Sequence, residues 1–140
     1  MLKLKSTHFL LLILLVIWVL TFYLQERYLT AATILKCQWP QLSTSLSQTN
    51  ILLIADPQLI DNHTYPGRNE LLLKLSKHTV DTYIKKNYNE LLDQLQPNYI
   101  MFLGDLLDNG RDATDEYFAQ EYNRFKRIFR PLDKMFLNVP

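Results

Sequence analysis

Cysteine is almost absent from this chain: Cys37 is the only one among 140 residues, which excludes an internal disulfide. Neither sign of charge dominates, because 15 basic and 14 acidic residues give a formal net charge of +1. The sequence also contains no internal repeat, no low-complexity block and no basic patch interleaved with aromatic residues. Nucleic acid is therefore not an expected partner.

A long apolar run does occur, at the N-terminus. Residues 9–24 are apolar except for Thr21. This run is longer than the 7–15 apolar residues of a cleavable signal and slightly shorter than the roughly 20 residues of a typical spanning helix. Bulky residues rather than a small-residue cleavage site follow it, so we predict an uncleaved transmembrane signal anchor over residues 9–25. A cleaved signal peptide and a buried helix are the alternatives.

The charges around this run predict its orientation. Lys3 and Lys5 precede it, which favours a cytosolic tail at residues 1–8 and a lumenal location for everything after the span. A short span suits the thin membranes of the endoplasmic reticulum and Golgi. A lumenal linker is then expected at residues 26–50 and a globular domain at residues 51–140. Asn62, in the sequence Asn-His-Thr, is a possible glycosylation site if the segment is lumenal.

The domain alternates predicted strands and helices. Residues 51–55 form a short, continuous apolar run, typical of a strand that is covered on both faces. An amphipathic helix follows and ends at Pro97, but its start, near Asn69 or near Lys77, stays open. The remaining elements are a strand at 99–103, a helix from Thr114 to Pro131 and a strand at 134–139. The order β-α-β-α-β predicts an α/β fold with a parallel sheet and right-handed crossovers.

Two of the predicted strands end at a carboxylate. Asp56 follows the first strand and Asp105 follows the second. Neighbouring parallel strands lie about 4.8 Å apart, so the two carboxylates repel each other unless a cation or a proton lies between them. Gln58 adds an amide oxygen on the same side of an extended segment. The sequence therefore predicts a divalent metal held by Asp56, Gln58 and Asp105.

The residues around Asp105 fit such a site. Gly104 allows the backbone to turn with no Cβ in the way, and Gly110 can take the positive φ that closes the loop. Asp108 and Asn109 can orient the loop, or they can hydrogen-bond a residue that binds the metal without contacting the metal themselves.

These residues resemble the calcineurin-like metallophosphoesterase superfamily, whose first two blocks are Asp-x-His and Gly-Asp-x-x-Asp after strands. The closer similarity is to its membrane-bound branch that acts on GPI anchors. The similar segments are 37–40 (Cys-Gln-Trp-Pro), 55–59 (Ala-Asp-Pro-Gln-Leu), 63–68 (His-Thr-Tyr-Pro-Gly-Arg), 104–111 (Gly-Asp-Leu-Leu-Asp-Asn-Gly-Arg) and 122–125 (Tyr-Asn-Arg-Phe).

The resemblance implies a fold, a cofactor and a reaction. The fold is an α/β sandwich, of which this chain would be the first, incomplete part. Asp56 and Gln58 would bind the first metal, and Asp105 would bridge two metals. The expected activity is two-metal hydrolysis of a phosphodiester. The expected substrate is ethanolamine phosphate on the mannoses of GPI anchors, removed during GPI-anchor remodelling and ER-to-Golgi transport, so the expected partners are GPI glycolipids or GPI-anchored proteins.

The chain departs from the family pattern in two ways. Gln58 stands where the superfamily has a histidine, which shifts the expected metal towards Mn²⁺. The later family blocks, with most ligands of the second metal and the catalytic histidine, do not occur. A truncated domain that is inactive by itself is therefore expected. By residue type, only His63 and His78 in the domain can protonate a leaving group.

Three alternatives remain open at the level of sequence. Counted from Asp105, the positions of Asn109, Gly110 and Glu116 match a calcium-binding EF-hand loop, although Leu107 does not. The chain can also be a catalytically incompetent, membrane-anchored remnant of an enzyme. Finally, the two aspartates can simply cap the loops that follow their strands.

Overall fold

The computed structural model describes residues 2–41, 48–130 and 136–139. It divides into two compact units, residues 1–37 and 38–140, which are described separately. The first unit is helical: α1 is Leu2–Tyr23, a π-helical stretch is Leu24–Leu29, and α2 is Thr30–Ile34. The second unit contains, in order, β1 (Ile51–Ala55), α3 (Glu70–Leu95), β2 (Tyr99–Leu103), α4 (Asp115–Ile128) and β3 (Phe136–Val139).

The N-terminal unit is one continuous helical rod. The stretch Thr7–Ile34 is long and apolar enough to cross a membrane, with a mean hydropathy of 2.4 over its most apolar window. Helical structure also extends through residues 26–34, which the sequence analysis assigned to the linker. The extension has a simple cause, because no glycine or proline occurs before Pro40. Of the rest of that linker, residues 42–47 lie outside the described structure.

The second unit contains a three-stranded parallel sheet in the order β1-β2-β3. In β1 and β2, Ile51 pairs with Tyr99 and the register runs to Ala55 with Leu103. The α/β prediction with its β-α-β-α-β order is confirmed, and the bounds of the first two strands match. The third strand begins at Phe136, while residues 134–135 of the predicted strand lie outside the described part of the chain.

Side-chain caps define where both helices begin. The Asn69 side chain accepts hydrogen bonds from the N–H groups of Leu71 and Leu72, which settles the open start of α3 in favour of the earlier position. The helix ends in the left-handed Gln96, with φ of 42°. Thr114 caps α4 as predicted, and its hydroxyl accepts from the Tyr117 N–H at 3.3 Å.

The core lies on one face of the sheet, between the strands and helices α3 and α4. Phe102 is 1% exposed and meets the rings of Phe125 and Phe129 edge-on, with centroids 5.2 and 5.1 Å away. On the opposite face, Ile51 and Leu53 of β1 are 44% and 58% exposed. The prediction that β1 is covered on both faces is therefore wrong for one face. Two right-handed crossovers that step in the same direction along the sheet place both helices on the same side.

Phe102 anchors this core, so its removal has a large effect. We expect Phe102→Ala to lower the free energy of unfolding by about 3–5 kcal/mol, because it leaves a cavity against two rings. Phe118→Ala is the matched control, since Phe118 is 42% exposed, and we expect it to cost less than about 1 kcal/mol. Denaturant unfolding of the full chain in detergent measures both. Equal losses for the two variants would contradict this placement of the core.

Candidate metal centre

The loops that follow β1 and β2 stay paired beyond the ends of their strands. The Asp56 N–H donates to the Leu103 carbonyl at 2.9 Å, and the Gln58 N–H donates to the Asp105 carbonyl at 3.2 Å. A single further bridge then joins Leu59 and Leu107. The structure thus brings the two aspartate-bearing segments side by side at the carboxyl edge of the sheet, where ligands bind in open α/β folds.

The Asp56 carboxylate lies directly against the backbone of the second segment. Its Oδ1 accepts a hydrogen bond from the Asp105 N–H at 3.2 Å. The Asp105 carboxylate is half exposed, and its Oδ2 lies 3.8 Å from Nη2 of the exposed Arg111. Asp56 therefore does have the loop-capping contact that the sequence left open. A carboxylate offers about four lone-pair positions, so this contact leaves room for a cation.

Gly104 makes the close approach of Asp56 possible. It adopts a positive φ of 72°, and a Cβ built on it would lie 2.0 Å from Asp56 Oδ1. The carboxylate therefore occupies the space that a side chain would fill. The parallel expectation for Gly110 is wrong, because the positive-φ glycines are Gly67 and Gly104. A Cβ at Gly110 would meet only ordinary contacts, at 3.7 Å from Leu107.

The first segment is not extended, contrary to the expectation for Asp56 and Gln58. Both residues adopt left-handed backbone conformations, with φ of 45° and 29°. Such conformations cost of order 1–3 kcal/mol each for residues other than glycine and cluster at active sites and ligand clamps. Two of them within three residues mark this segment as one whose geometry the surrounding structure enforces.

An open depression of about 510 Å³ lies beside Asp105. Its lining runs from Gly104 to Asp112 and includes Phe118 of α4. Asp105, Asp108 and Asn109 thus share one hollow, whereas Asp56 and Gln58 are not among its lining residues. Asp108 is also held from the first segment, because its N–H donates to the Leu59 carbonyl at 3.4 Å.

Beyond Gln58, the loop folds around a buried aspartate. Asp61 is 2% exposed, and its Oδ1 accepts from the N–H groups of His63 and Thr64 at 2.7 and 3.1 Å. The exposed His63 ring packs edge-on against Tyr117, with centroids 5.1 Å apart. Burial is the largest influence on Tyr117 and raises the pKa of its hydroxyl. The other candidate acid, His78, is exposed on α3.

A largely buried ionic cluster between α3 and α4 contacts this loop, and the sequence analysis did not predict it. Its members are Lys77 and Asp81 on α3 and Glu121 and Arg124 on α4. Glu121 and Arg124 are 8% and 9% exposed. A signal was available, because these two charges sit three apart on the face of α4 that also carries Phe125 and Ile128.

The donor set fits a divalent cation. Two carboxylates and one amide oxygen are the hard ligands that Mg²⁺, Ca²⁺ and Mn²⁺ prefer. The space that Gly104 leaves free lets the Asp56 carboxylate lie against the second segment. In the parts of the chain that the structure describes, no group of three or more His, Cys, Asp or Glu could hold a metal. A metal site at this edge of the sheet would have only the carboxylates of Asp56 and Asp105 and the amide oxygen of Gln58 as its candidate donors among the residues discussed above.

The calcium-loop alternative is wrong. An EF-hand needs a helix before its loop, and the segment that enters Asp105 is strand β2.

Several known proteins are similar to this chain over most of its length. The chain is 32% identical to the cell division control protein 1 of Saccharomyces cerevisiae over 133 residues, which is 89% of this chain and 27% of that protein. It is 30% identical to metallophosphoesterase 1 of Pongo abelii over 138 residues, 92% of this chain and 32% of the relative. It is 29% identical to metallophosphoesterase 1 of Danio rerio over 119 residues, 83% of this chain and 29% of the relative.

No family model matches the sequence. No solved structure matches it either. The chain spans about a quarter to a third of the length of the curated relatives it matches. Over that length the match includes both strand ends and the loops that follow them. The chain therefore belongs to the calcineurin-like metallophosphoesterase superfamily, in the branch that these relatives represent.

Proposed function

We propose that this chain forms the first metal-binding part of a metal-dependent phosphodiesterase. The observation that carries the proposal is the seating of the Asp56 carboxylate over Gly104, against the Asp105 N–H. This arrangement brings the Asp56 carboxylate against the backbone of the segment that carries Asp105. The names of the metallophosphoesterase relatives support the reaction class.

Each residue has a distinct role in this proposal. Asp56, Gln58 and Asp105 hold a divalent cation, and we propose Mn²⁺ among the cations that oxygen donors suit because Gln58 stands where the superfamily has a histidine. Asp108 and Asn109 orient the second segment and hydrogen-bond ligands from the adjoining depression. When bound, the metal supplies Lewis-acid chemistry, which stabilises charge on phosphate oxygens and lowers the pKa of a bound water.

The membrane helix suggests where the reaction takes place. We propose that α1 anchors the chain in the endoplasmic reticulum or Golgi membrane, with residues 1–8 cytosolic, residues 9–25 in the membrane, residues 26–50 as a lumenal linker and the domain at 51–140 in the lumen. The substrate proposed from the family resemblance is ethanolamine phosphate on the mannoses of a GPI glycolipid or a GPI-anchored protein. The exposed Asn62 is the proposed glycosylation site in that compartment.

A second candidate function is a membrane-anchored segment that binds metal without catalysis. It is favoured by the small number of ligands, since the described residues contain no group of three or more His, Cys, Asp or Glu suited to a metal. The two candidates share the metal site and differ in turnover, so one experiment can separate them.

Asp105→Asn tests the metal site directly. We expect it to weaken Mn²⁺ binding by more than about tenfold, because it removes a charged donor from a pair that binds one ion. The matched control is Asp93→Asn, since Asp93 lies near the end of α3, away from the carboxyl edge of the sheet. The signal of free Mn²⁺ in electron paramagnetic resonance, recorded on the full chain in detergent, measures binding in both variants.

Equal Mn²⁺ affinity in the two variants would refute the proposed site. Hydrolysis of a chromogenic phosphodiester by the same samples then separates the two functions. Turnover that requires Mn²⁺ and disappears with Asp105→Asn supports the enzyme, whereas binding without turnover supports the non-catalytic candidate.

Gly104→Ala tests whether the Asp56 carboxylate needs the space beside Gly104. We expect it to lower the free energy of unfolding by about 1–3 kcal/mol, the cost of a left-handed residue with a Cβ, and to weaken Mn²⁺ binding because the new Cβ displaces the Asp56 carboxylate. Gly110→Ala is the matched control, since its Cβ meets only ordinary contacts. Denaturant unfolding and Mn²⁺ titration measure both effects. If the two alanine variants behave alike, the carboxylate of Asp56 does not need the space beside Gly104.

A further inference from the structure

The loop that carries Asp56 and Gln58 is fixed at both of its ends. At its start, the Asp56 N–H bonds to the Leu103 carbonyl of β2. Four residues later, the Ile60 carbonyl accepts a hydrogen bond from Nη1 of Arg124 at 3.0 Å. Between these points Leu59 is fully buried. The guanidinium of Arg124 on α4 therefore holds the far end of the segment that contains two of the proposed metal ligands.

Arg124 is itself held by two carboxylates. Its Nε donates to Asp81 Oδ2 at 2.7 Å, and its Nη2 donates to the other oxygen of the same carboxylate. Its Nη1 also donates to Glu121 Oε2. Burial alone would lower the pKa of Arg124, but its hydrogen bonds to Asp81 and Glu121 and their charges outweigh burial and raise it. The guanidinium thus stays charged and in one orientation.

A second cation extends the cluster to Asn62, two residues beyond Ile60 in the loop. Lys77 Nζ lies 3.2 Å from Glu121 Oε1 and donates to Asn62 Oδ1 at 3.2 Å. The Asn62 N–H in turn donates to the Tyr117 hydroxyl at 3.3 Å. Two cations and two carboxylates balance in this cluster, and α3 and α4 both reach the loop through it. The attraction between these opposite charges, together with their hydrogen bonds, offsets the free-energy cost of removing them from water.

We propose that Arg124 is a positioning residue for the metal centre, acting through the Ile60 carbonyl on Asp56 and Gln58. The proposal rests on the metal site proposed above. Both ligands adopt left-handed backbone conformations, which persist only where the surroundings enforce them. The strand pairing enforces one end of the segment, and the guanidinium enforces the other.

The planar fork of arginine is what this role requires. One edge of the guanidinium pairs with Asp81, while Nη1 reaches both Glu121 and the Ile60 carbonyl. A lysine ammonium is a compact point charge without that fixed geometry. Arg124→Lys therefore keeps the charge between α3 and α4 but loses the geometry that connects the helices to the loop.

The test compares Arg124→Lys with Tyr88→Phe in the full chain in detergent. Tyr88→Phe is matched because it also deletes one side-chain hydrogen bond to a backbone carbonyl, that of Arg130 at 3.1 Å. We expect Arg124→Lys to weaken Mn²⁺ binding about tenfold, the lower end for residues behind a metal ligand, and to speed amide exchange in residues 56–60. Tyr88→Phe is expected to change Mn²⁺ affinity less than twofold, about the scatter of such measurements.

The outcomes separate this inference from the proposed function. A wild-type chain without saturable Mn²⁺ binding overturns both. Mn²⁺ binding that is lost in Asp105→Asn but unchanged in Arg124→Lys overturns the role of Arg124 alone. If Arg124→Lys does not fold, Asp81→Asn replaces it, because this variant keeps Arg124 but removes the carboxylate charge that orients its guanidinium towards the loop. Unchanged exchange and affinity in that variant would also overturn the inference.

Discussion

The site depends on backbone pairing that continues past the ends of two parallel strands. Because this pairing places Asp56 beside residues 104 and 105, the carboxylate can bond to the Asp105 N–H. The absence of a side chain at Gly104 provides the space for it. Without either condition the Asp56 carboxylate would not reach the segment that carries Asp105.

Much of the fold could be predicted from local sequence. The strands β1 and β2 are short apolar runs with a sharp end at Asp56 and at Gly104, so their bounds were correct. Thr114 is a strong helix cap, and the start of α4 followed from it. The start of α3 stayed open because Leu71 and its neighbours blur the apolar stripe, whereas the Asn69 cap that decides it becomes visible only in the structure.

The rest depends on tertiary contacts that local patterns do not encode. The left-handed conformations of Asp56 and Gln58 arise from pairing with a segment about 50 residues away, so an extended segment was the natural expectation. The ionic cluster around Arg124 joins two helices and a loop, and single charges on a helix do not reveal their partners. The uncovered face of β1 reflects where both crossover helices lie.

The most direct test of the central claim is a double-mutant cycle on Mn²⁺ affinity with Asp56→Asn and Asp105→Asn. If one ion contacts both carboxylates, the free-energy costs are strongly non-additive. The account predicts that the double variant binds Mn²⁺ about as weakly as either single variant. Costs that add as independent contributions, or a single variant that binds as the wild type does, would contradict it.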